Sequence, residues 1–171
     1  ISRLFDFPYY QLEKYNLDVA LVTKKNGEWI KTSTREYLDR ANEISRALLR
    51  LGVQKNDKIA LISSTNRTEW NIMDIGILQT GAQDVPIYPT ISQEDYAYIL
   101  NHSQSVYCFV SCEFVLEKIN NIKERVCKHL CDNIGELIDK IYIKKHFNIE
   151  SKNKIITREQ SGTILCKRKH F

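Results

Sequence analysis

Residues 58–90 read KIALISSTNRTEWNIMDIGILQTGAQDVPIYPT, and the pattern in this stretch decides the fold. Residues 58–63 form a short apolar run closed by a polar turn, which suits a strand covered on both faces as in a parallel sheet. The turn Ser63-Ser64-Thr65-Asn66 follows. Asn66 with Glu69 three residues on has the N-cap and N3 pattern that satisfies free amides at a helix start, so a helix is expected to begin there. It carries Trp70, Ile72, Met73, Ile75, Ile77 and Leu78 over little more than two turns, too apolar all round for a helix with one face in water. Gly81 stands where a left-handed C-cap residue is wanted, and Val85-Pro86-Ile87-Tyr88-Pro89 resumes extended backbone. Two prolines take two donors out of that ladder, which puts the strand near its end or at a sheet edge.

Working outward toward the amino terminus, the chain reads as a lead-in helix around Pro8 to Tyr15 and then a hairpin. Residues 18–24 and 28–32 are strand-like and are joined by Asn26-Gly27, a two-residue turn in which both positions tolerate positive φ. An amphipathic helix comes next. Ser33 and Glu36 make a capping box, Tyr37, Ala41, Ile44, Leu48 and Leu51 recur at three- and four-residue steps, Glu36 and Arg40 pair at i, i+4, and Gly52 ends it. Each fully buried Leu or Ile on that stripe contributes about 1.5–3 kcal/mol, so the stripe is core and outweighs local propensity.

Toward the carboxyl terminus, residues 92–102 are expected to form a helix with Tyr96, Ile99 and Leu100 turned inward. Residues 105–111, SVYCFVS, read as a strand, and residues 113–125 as a helix with Phe114, Val115, Ile119 and Ile122 at helical spacing. Helices and strands therefore alternate from Ser33 onward. The fold class expected is α/β: a parallel-sheet subdomain with helices on both faces, preceded by a short β-hairpin. Ligands in such sheets bind beyond the carboxyl ends of strands, here residues 63–67 and 88–90.

The run NRTEWNIMDIGILQTGAQDVPIYPTISQEDYAYILNHS, residues 66–103, resembles the amino-terminal part of the AMP-forming acyl-CoA synthetases (adenylate-forming ligases), nearest the long-chain fatty acid type. The resemblance lies in the Asn-Arg-Thr-Glu-Trp helix start at 66–70, the Gly81-Ala82 turn, Pro86-Ile-Tyr-Pro-Thr90, and the following helix that ends in Asn101-His-Ser103. With residues 4–15 and 58–63 it covers about residues 1–125, and the subdomain is then incomplete relative to the family's amino-terminal domain. It implies a fatty acid–CoA ligase of lipid metabolism. Such an enzyme uses ATP and magnesium to make an acyl-adenylate, releases pyrophosphate, and passes the acyl group to the thiol of coenzyme A. The first step needs donors and a cation around the triphosphate. The family's Ser/Thr/Gly-rich loop ending in Pro-Lys-Gly, its later nucleotide motifs and its catalytic lysine have no counterpart here. No catalytic, cofactor-binding or metal-binding residue is therefore assigned, and the chain alone is expected to be inactive.

Individual residues carry two readings each. Asn66, Arg67 and Thr68 would present amides and a cation to an anion, but a cap and a solvated arginine explain them as well. Trp70 would wall an acyl chain, yet a tryptophan on an apolar helix reads first as core. Tyr88-Pro89-Thr90 either shapes the cleft or simply ends a strand. Ser161-Gly162-Thr163 echoes the family's phosphate loop, but it runs on into Ile164-Leu165-Cys166-Lys167 without the further glycine and the proline.

Composition excludes several classes. A 43% hydrophobic, 27% charged chain of 171 residues is that of a globular protein. No apolar run approaches the ~20 residues that span a bilayer. Arg3 and Asp6 interrupt the opening ISRLFDFPYY before a signal-peptide core forms, and five scattered cysteines fit a reducing compartment, so the cytoplasm is the expected location, with at most peripheral membrane contact. Beyond Arg125 the character changes. Residues 126–171 hold ten of the 25 basic and five of the 21 acidic residues, net +5 against −1 for residues 1–125. This basic tail is read as a departure from the family sequence or its reading frame. Within it, Cys127 and Cys131, then Cys166 and His170, have the i, i+4 spacing of metal ligands and would make a structural zinc site if brought together. The run Lys167-Arg168-Lys169-His170 lacks the aromatic platform that accompanies nucleic-acid binding, so no nucleic-acid partner is expected. The alternatives to a ligase segment are a noncatalytic interaction module derived from one, with or without a zinc-binding tail, and a chain whose unpaired sheet edge leads it to aggregate.

Overall fold

The computed structural model describes residues 1–126 and the backbone of one further strand, Ile134–Leu137. The chain divides into two compact units, one made of residues 1–57 and 65–84, the other of residues 58–64 and the chain from Val85 onward.

In the first unit a 3-10 turn, Leu4–Asp6, leads into α1, Phe7–Lys14, with Pro8 in its first turn where no amide donor is needed. Strands β1, Leu21–Lys25, and β2, Glu28–Thr32, pair antiparallel with Lys25 opposite Glu28. Asn26 and Gly27 between them have φ of 52° and 87°, the double positive φ of a type I′ turn. Helix α2, Thr34–Arg50, has the expected N-cap but only half of the expected box: the Ser33 hydroxyl accepts from the Glu36 amide at 3.1 Å, while the Glu36 carboxylate accepts from Arg40 Nη1 at 3.2 Å. Its buried stripe is Leu38, Ala41, Ile44, Ser45 and Leu48, while Tyr37 and Leu51, counted in the stripe from spacing, are only half-buried.

Helix α3, Thr68–Gln79, packs on α2. Its start differs from the expectation. Arg67, not Asn66, is the N-cap residue, and its side chain makes no capping bond. The acceptor comes from the hairpin instead: Thr23 Oγ1 takes the Thr68 amide at 2.7 Å and donates to Thr68 Oγ1 at 2.8 Å. A hydroxyl supplied from distant sequence does the work of the local cap, and Asn66 is left exposed. Ile72, Met73, Ile75, Gly76 and Ile77 are buried, and Trp70 is half-buried. Gly81 has φ of 81°, and its carbonyl accepts from the Asn56 amide at 2.9 Å, so the helix ends as expected.

The sheet is ordered β4-β3-β5-β6, where β3 is Lys58–Ile62, β4 Gln83–Ile87, β5 Tyr107–Val110 and β6 Ile134–Leu137. Strands β3 and β5 are parallel with Ile59 opposite Tyr107, and β5 and β6 are parallel. The proline-bearing strand is an edge strand, where a missing donor is tolerated. In the second unit α4, Gln93–Ser103, and α5, Glu113–Asn121, lie on the same face of the sheet. Ala60, Ile62, Cys108 and Val110 from the strands meet Tyr96, Ala97 and Leu100 of α4 and Val115 and Ile119 of α5 in one core. Ile59, Leu61, Tyr107 and Phe109 alternate with these and are also buried, so both faces of β3 and β5 are covered. The last helix stops four residues short of the expected 125, with a 3-10 turn at Lys123–Arg125. Phe114, one of the four apolar residues at helical spacing, is 63% exposed. Val115, Ile119 and Ile122 define the buried face, which turns the preceding position outward, and Lys118 Nζ lies 4.8 Å from the Phe114 ring.

Candidate functional site

The strand order in the second unit sets a switch point between β3 and β5. The connection leaving β3 leads to β4 on one side, whereas the connection leaving β5 leads to β6 on the other. Adjacent parallel strands whose connections diverge in this way leave an opening beyond their carboxyl ends. Ser63 and Ser64 follow β3 there, and Ser111 and Cys112 follow β5.

These residues form a small polar bracket. The Ser111 amide donates to the Ile62 carbonyl at 3.0 Å and extends the ladder by one step. The Ser64 amide donates to Ser111 Oγ at 2.8 Å, and the two hydroxyls lie 3.0 Å apart. Ser111 is buried and Ser64 exposed, so one hydroxyl anchors the other at the surface. Among the described residues the hydroxyls' partners are each other and the Ser64 amide, with no imidazole or carboxylate beside them to take a proton. Ser111 was not singled out from sequence, because its role depends on β5 lying beside β3.

The end of β4 is tied down by α4 and α5. The Tyr96 hydroxyl donates to the Tyr88 carbonyl at 3.1 Å, and Lys118 Nζ donates to the Ile91 carbonyl at 3.5 Å. Burial, with a smaller contribution from Cys108 and Cys112, pushes the Tyr96 phenol up to about 12, so it stays a donor at neutral pH. Burial also pushes the Cys108 thiol up to about 12, leaving it unreactive. Tyr88 itself is 80% exposed, and Thr90 is exposed just ahead of Ser92, which caps α4 by accepting from the Asp95 amide at 3.0 Å. The segment is thus both a strand end and a fixed surface.

Thr65, Asn66 and Arg67 belong to the first unit, at the entry to α3. That unit has its own cleft, about 310 Å³, walled by Phe7, Pro8, Leu21 and Ile75 with Tyr37 and Asp74 at its polar side. Burial raises the Asp74 carboxyl above its ordinary value, against a hydrogen bond with the Asp84 side chain that lowers it. Burial first, and the Asp74 charge second, push the Tyr37 phenol up as well. Among the described residues no group of His, Cys, Asp and Glu is placed to hold a metal, and no helix is long and apolar enough to cross a membrane. Cys127, Cys131, Cys166, His170, Ser161-Gly162-Thr163 and residues 167–170 lie outside the described residues.

Comparison with known proteins places this geometry. The chain is 35% identical over 88 residues to the long-chain-fatty-acid–CoA ligase FadD15 of Mycobacterium bovis, covering 52% of this chain and 14% of that one. It is 30% identical over 118 residues to the long-chain-fatty-acid–CoA ligase heimdall of Drosophila melanogaster, covering 67% of this chain and 17% of that one. The crystal structure of the anthranilate CoA ligase AuaEII in complex with anthranoyl-AMP superposes with a TM-score of 0.63 at 23% identity, over 75% of this chain and 24% of that chain, a likeness of fold. The chain thus spans about a sixth or less of the length of these two ligases. The family model described as "AMP-binding enzyme" matches residues 9–161, running past Arg125 and taking in most of the chain. The chain belongs to the AMP-binding enzyme family, the adenylate-forming ligases, and is related at low identity to its long-chain fatty acid–CoA ligases.

Proposed function

We propose that this chain is the amino-terminal segment of a long-chain fatty acid–CoA ligase. In the complete enzyme the fatty acid carboxylate attacks ATP to give an acyl-adenylate and pyrophosphate, and the coenzyme A thiol then displaces AMP. The observation that carries the reading is that both sequence relatives described above, at 30% identity or more, are named as long-chain fatty acid–CoA ligases. In this reading residues 1–125 supply the amino-terminal part of the adenylate-forming domain. Their contribution is a scaffold: a sheet whose carboxyl end presents Ser64 and Ser111, with Tyr88 to Thr90 held beside β4 by Tyr96. Hydroxyls and amides of that kind bind oxygen atoms of a substrate without reacting with them. ATP with magnesium needs further donors and a cation that the bracket does not contain, so the segment alone is inactive.

A chimera tests the proposal. Residues 9–126 would replace the matching segment of the M. bovis ligase, and palmitate-dependent exchange of pyrophosphate into ATP would be measured alongside palmitoyl-CoA formation. Both reactions are expected to persist. A folded chimera that binds ATP but activates no fatty acid would overturn the assignment, and exchange catalysed by the isolated 171-residue chain would overturn its inactivity.

A further inference from the structure

The β1–β2 hairpin presents a face that its own unit does not use. In the antiparallel register Val22 lies opposite Lys31 and Lys24 opposite Trp29, so these four side chains share one face. All four are exposed, Trp29 by 65% and Val22 by 47%. The other face meets the unit at its base, where Thr23 bonds Thr68, Thr32 is buried and Leu21 lines the cleft, while Lys25, Glu28 and Ile30 stay exposed. Trp29 therefore has no packing role within its unit, and its nearest charged neighbour on the ladder is Lys24, whose Nζ lies 5.5 Å from the ring. The outward face holds two lysines, an indole and a valine, and no carboxylate. The acidic residue of the hairpin, Glu28, sits on the opposite face across from Lys25.

We propose that this face docks on an anionic lipid surface. An indole favours the headgroup level of a bilayer, where its ring is apolar and its N–H is satisfied. Lysines beside it extend their ammonium groups to anionic headgroups while their stems cover apolar area. A bilayer accepts such a face without a matching pocket, whereas a folded acidic partner would have to supply one for Trp29. The inference does not depend on the catalytic reading above.

Sedimentation of the intact 171-residue chain with vesicles tests it. Vesicles of phosphatidylcholine alone are compared with vesicles of equal parts phosphatidylcholine and phosphatidylglycerol, at low and high salt. The chain is expected to partition onto the anionic vesicles at low salt only. Each lysine near such a surface is worth about fivefold in partitioning, so Lys24→Gln with Lys31→Gln should weaken binding at least about tenfold, and Trp29→Ala should weaken it further. All three positions are exposed, and unchanged circular dichroism checks that the variants are folded. In a Trp70→Phe background, Trp29 emission should shift to the blue on the same vesicles. Undiminished binding by the triple variant would assign the interaction to the basic residues after 125 and overturn the proposal. Equal partitioning onto neutral vesicles, no partitioning at all, or capture by polyglutamate but not by vesicles would also overturn it.

Discussion

Gly76 of α3 lies directly against Ile44 of α2: a Cβ at position 76 would sit 2.5 Å from Ile44 Cγ2 and 3.2 Å from the Ala41 carbonyl oxygen. The Ser45 hydroxyl lies 2.9 Å from the Gly76 carbonyl oxygen and also within reach of the Ala41 carbonyl and Gln79 Oε1, so its one proton is shared among acceptors on both helices. Only a glycine fits, and this outweighs the helix propensity that an alanine would add. Gly76→Ala should destabilise the chain by about 1–3 kcal/mol, the usual cost of overpacking. In urea titrations Ile44→Gly should reduce the effect of Gly76→Ala, because it removes both clashing atoms, Cγ2 and the Cβ at 2.7 Å. Additive losses would show that the two positions do not meet.

The Thr23–Thr68 contact predicts a second effect. Thr23→Val keeps the shape but removes the acceptor for a buried helix-start amide, and should cost about 1–2 kcal/mol. Thr23→Ser keeps the acceptor and should cost much less. Comparison of the two variants by thermal unfolding separates capping from packing.

Asp74 predicts a pH dependence. Its carboxyl is raised in the folded state, chiefly by burial, so the folded chain holds that proton more tightly than the unfolded chain does. The stabilisation is complete below the unfolded value, about 3.9, and is lost as pH rises through the raised folded value. Asp74→Asn cannot ionise. It should flatten the decline in urea midpoint between the two values and leave the variant relatively more stable at neutral pH. A parallel profile for the two proteins would contradict this.

The serine bracket predicts local rather than global loss. Ser64 is exposed, so water replaces Ser111 Oγ once Ser111→Ala removes it, and global stability should fall by only about 0.5–1.5 kcal/mol. The Ser64 amide should nevertheless exchange at least about tenfold faster, since its native partner is gone. Exchange measured by NMR at that one amide is the readout.

The parts of the fold that the sequence announced are those decided by neighbours in the chain. Asn26-Gly27 needs only its own backbone freedom to make the hairpin turn, Ser33 needs only Glu36 to start α2, and Gly81 needs only its missing side chain to end α3. The alternation of helices and strands followed from such local marks. What could not be read was set by partners far along the chain. Asn66 looked like a cap because Thr23 was out of sight, Phe114 and Val115 were not told apart because helical spacing alone cannot say which of two adjacent apolar positions faces the sheet, and Ser111 drew no notice because strand order is a tertiary property. A ligand site at residues 63–67 and 88–90 was expected from α/β geometry, and Ser111, brought beside Ser64 by the pairing of β3 with β5, lies outside both of those ranges.

The pairing of Ile59 with Tyr107 also governs when the protein can fold. The centre of the sheet joins strands 48 positions apart, with β4 and α4 made in between. At about 5–20 residues per second, a ribosome takes about 2–10 s to add that length, and β3 waits through it with an apolar sequence and no neighbour on its β5 side. The order of emergence therefore gives the nascent chain a vulnerable interval that ends when Val110 clears the exit. Truncations that stop before residue 107 should behave as permanently arrested intermediates and bind chaperones, while those that include β5 and α5 can close the core of the second unit.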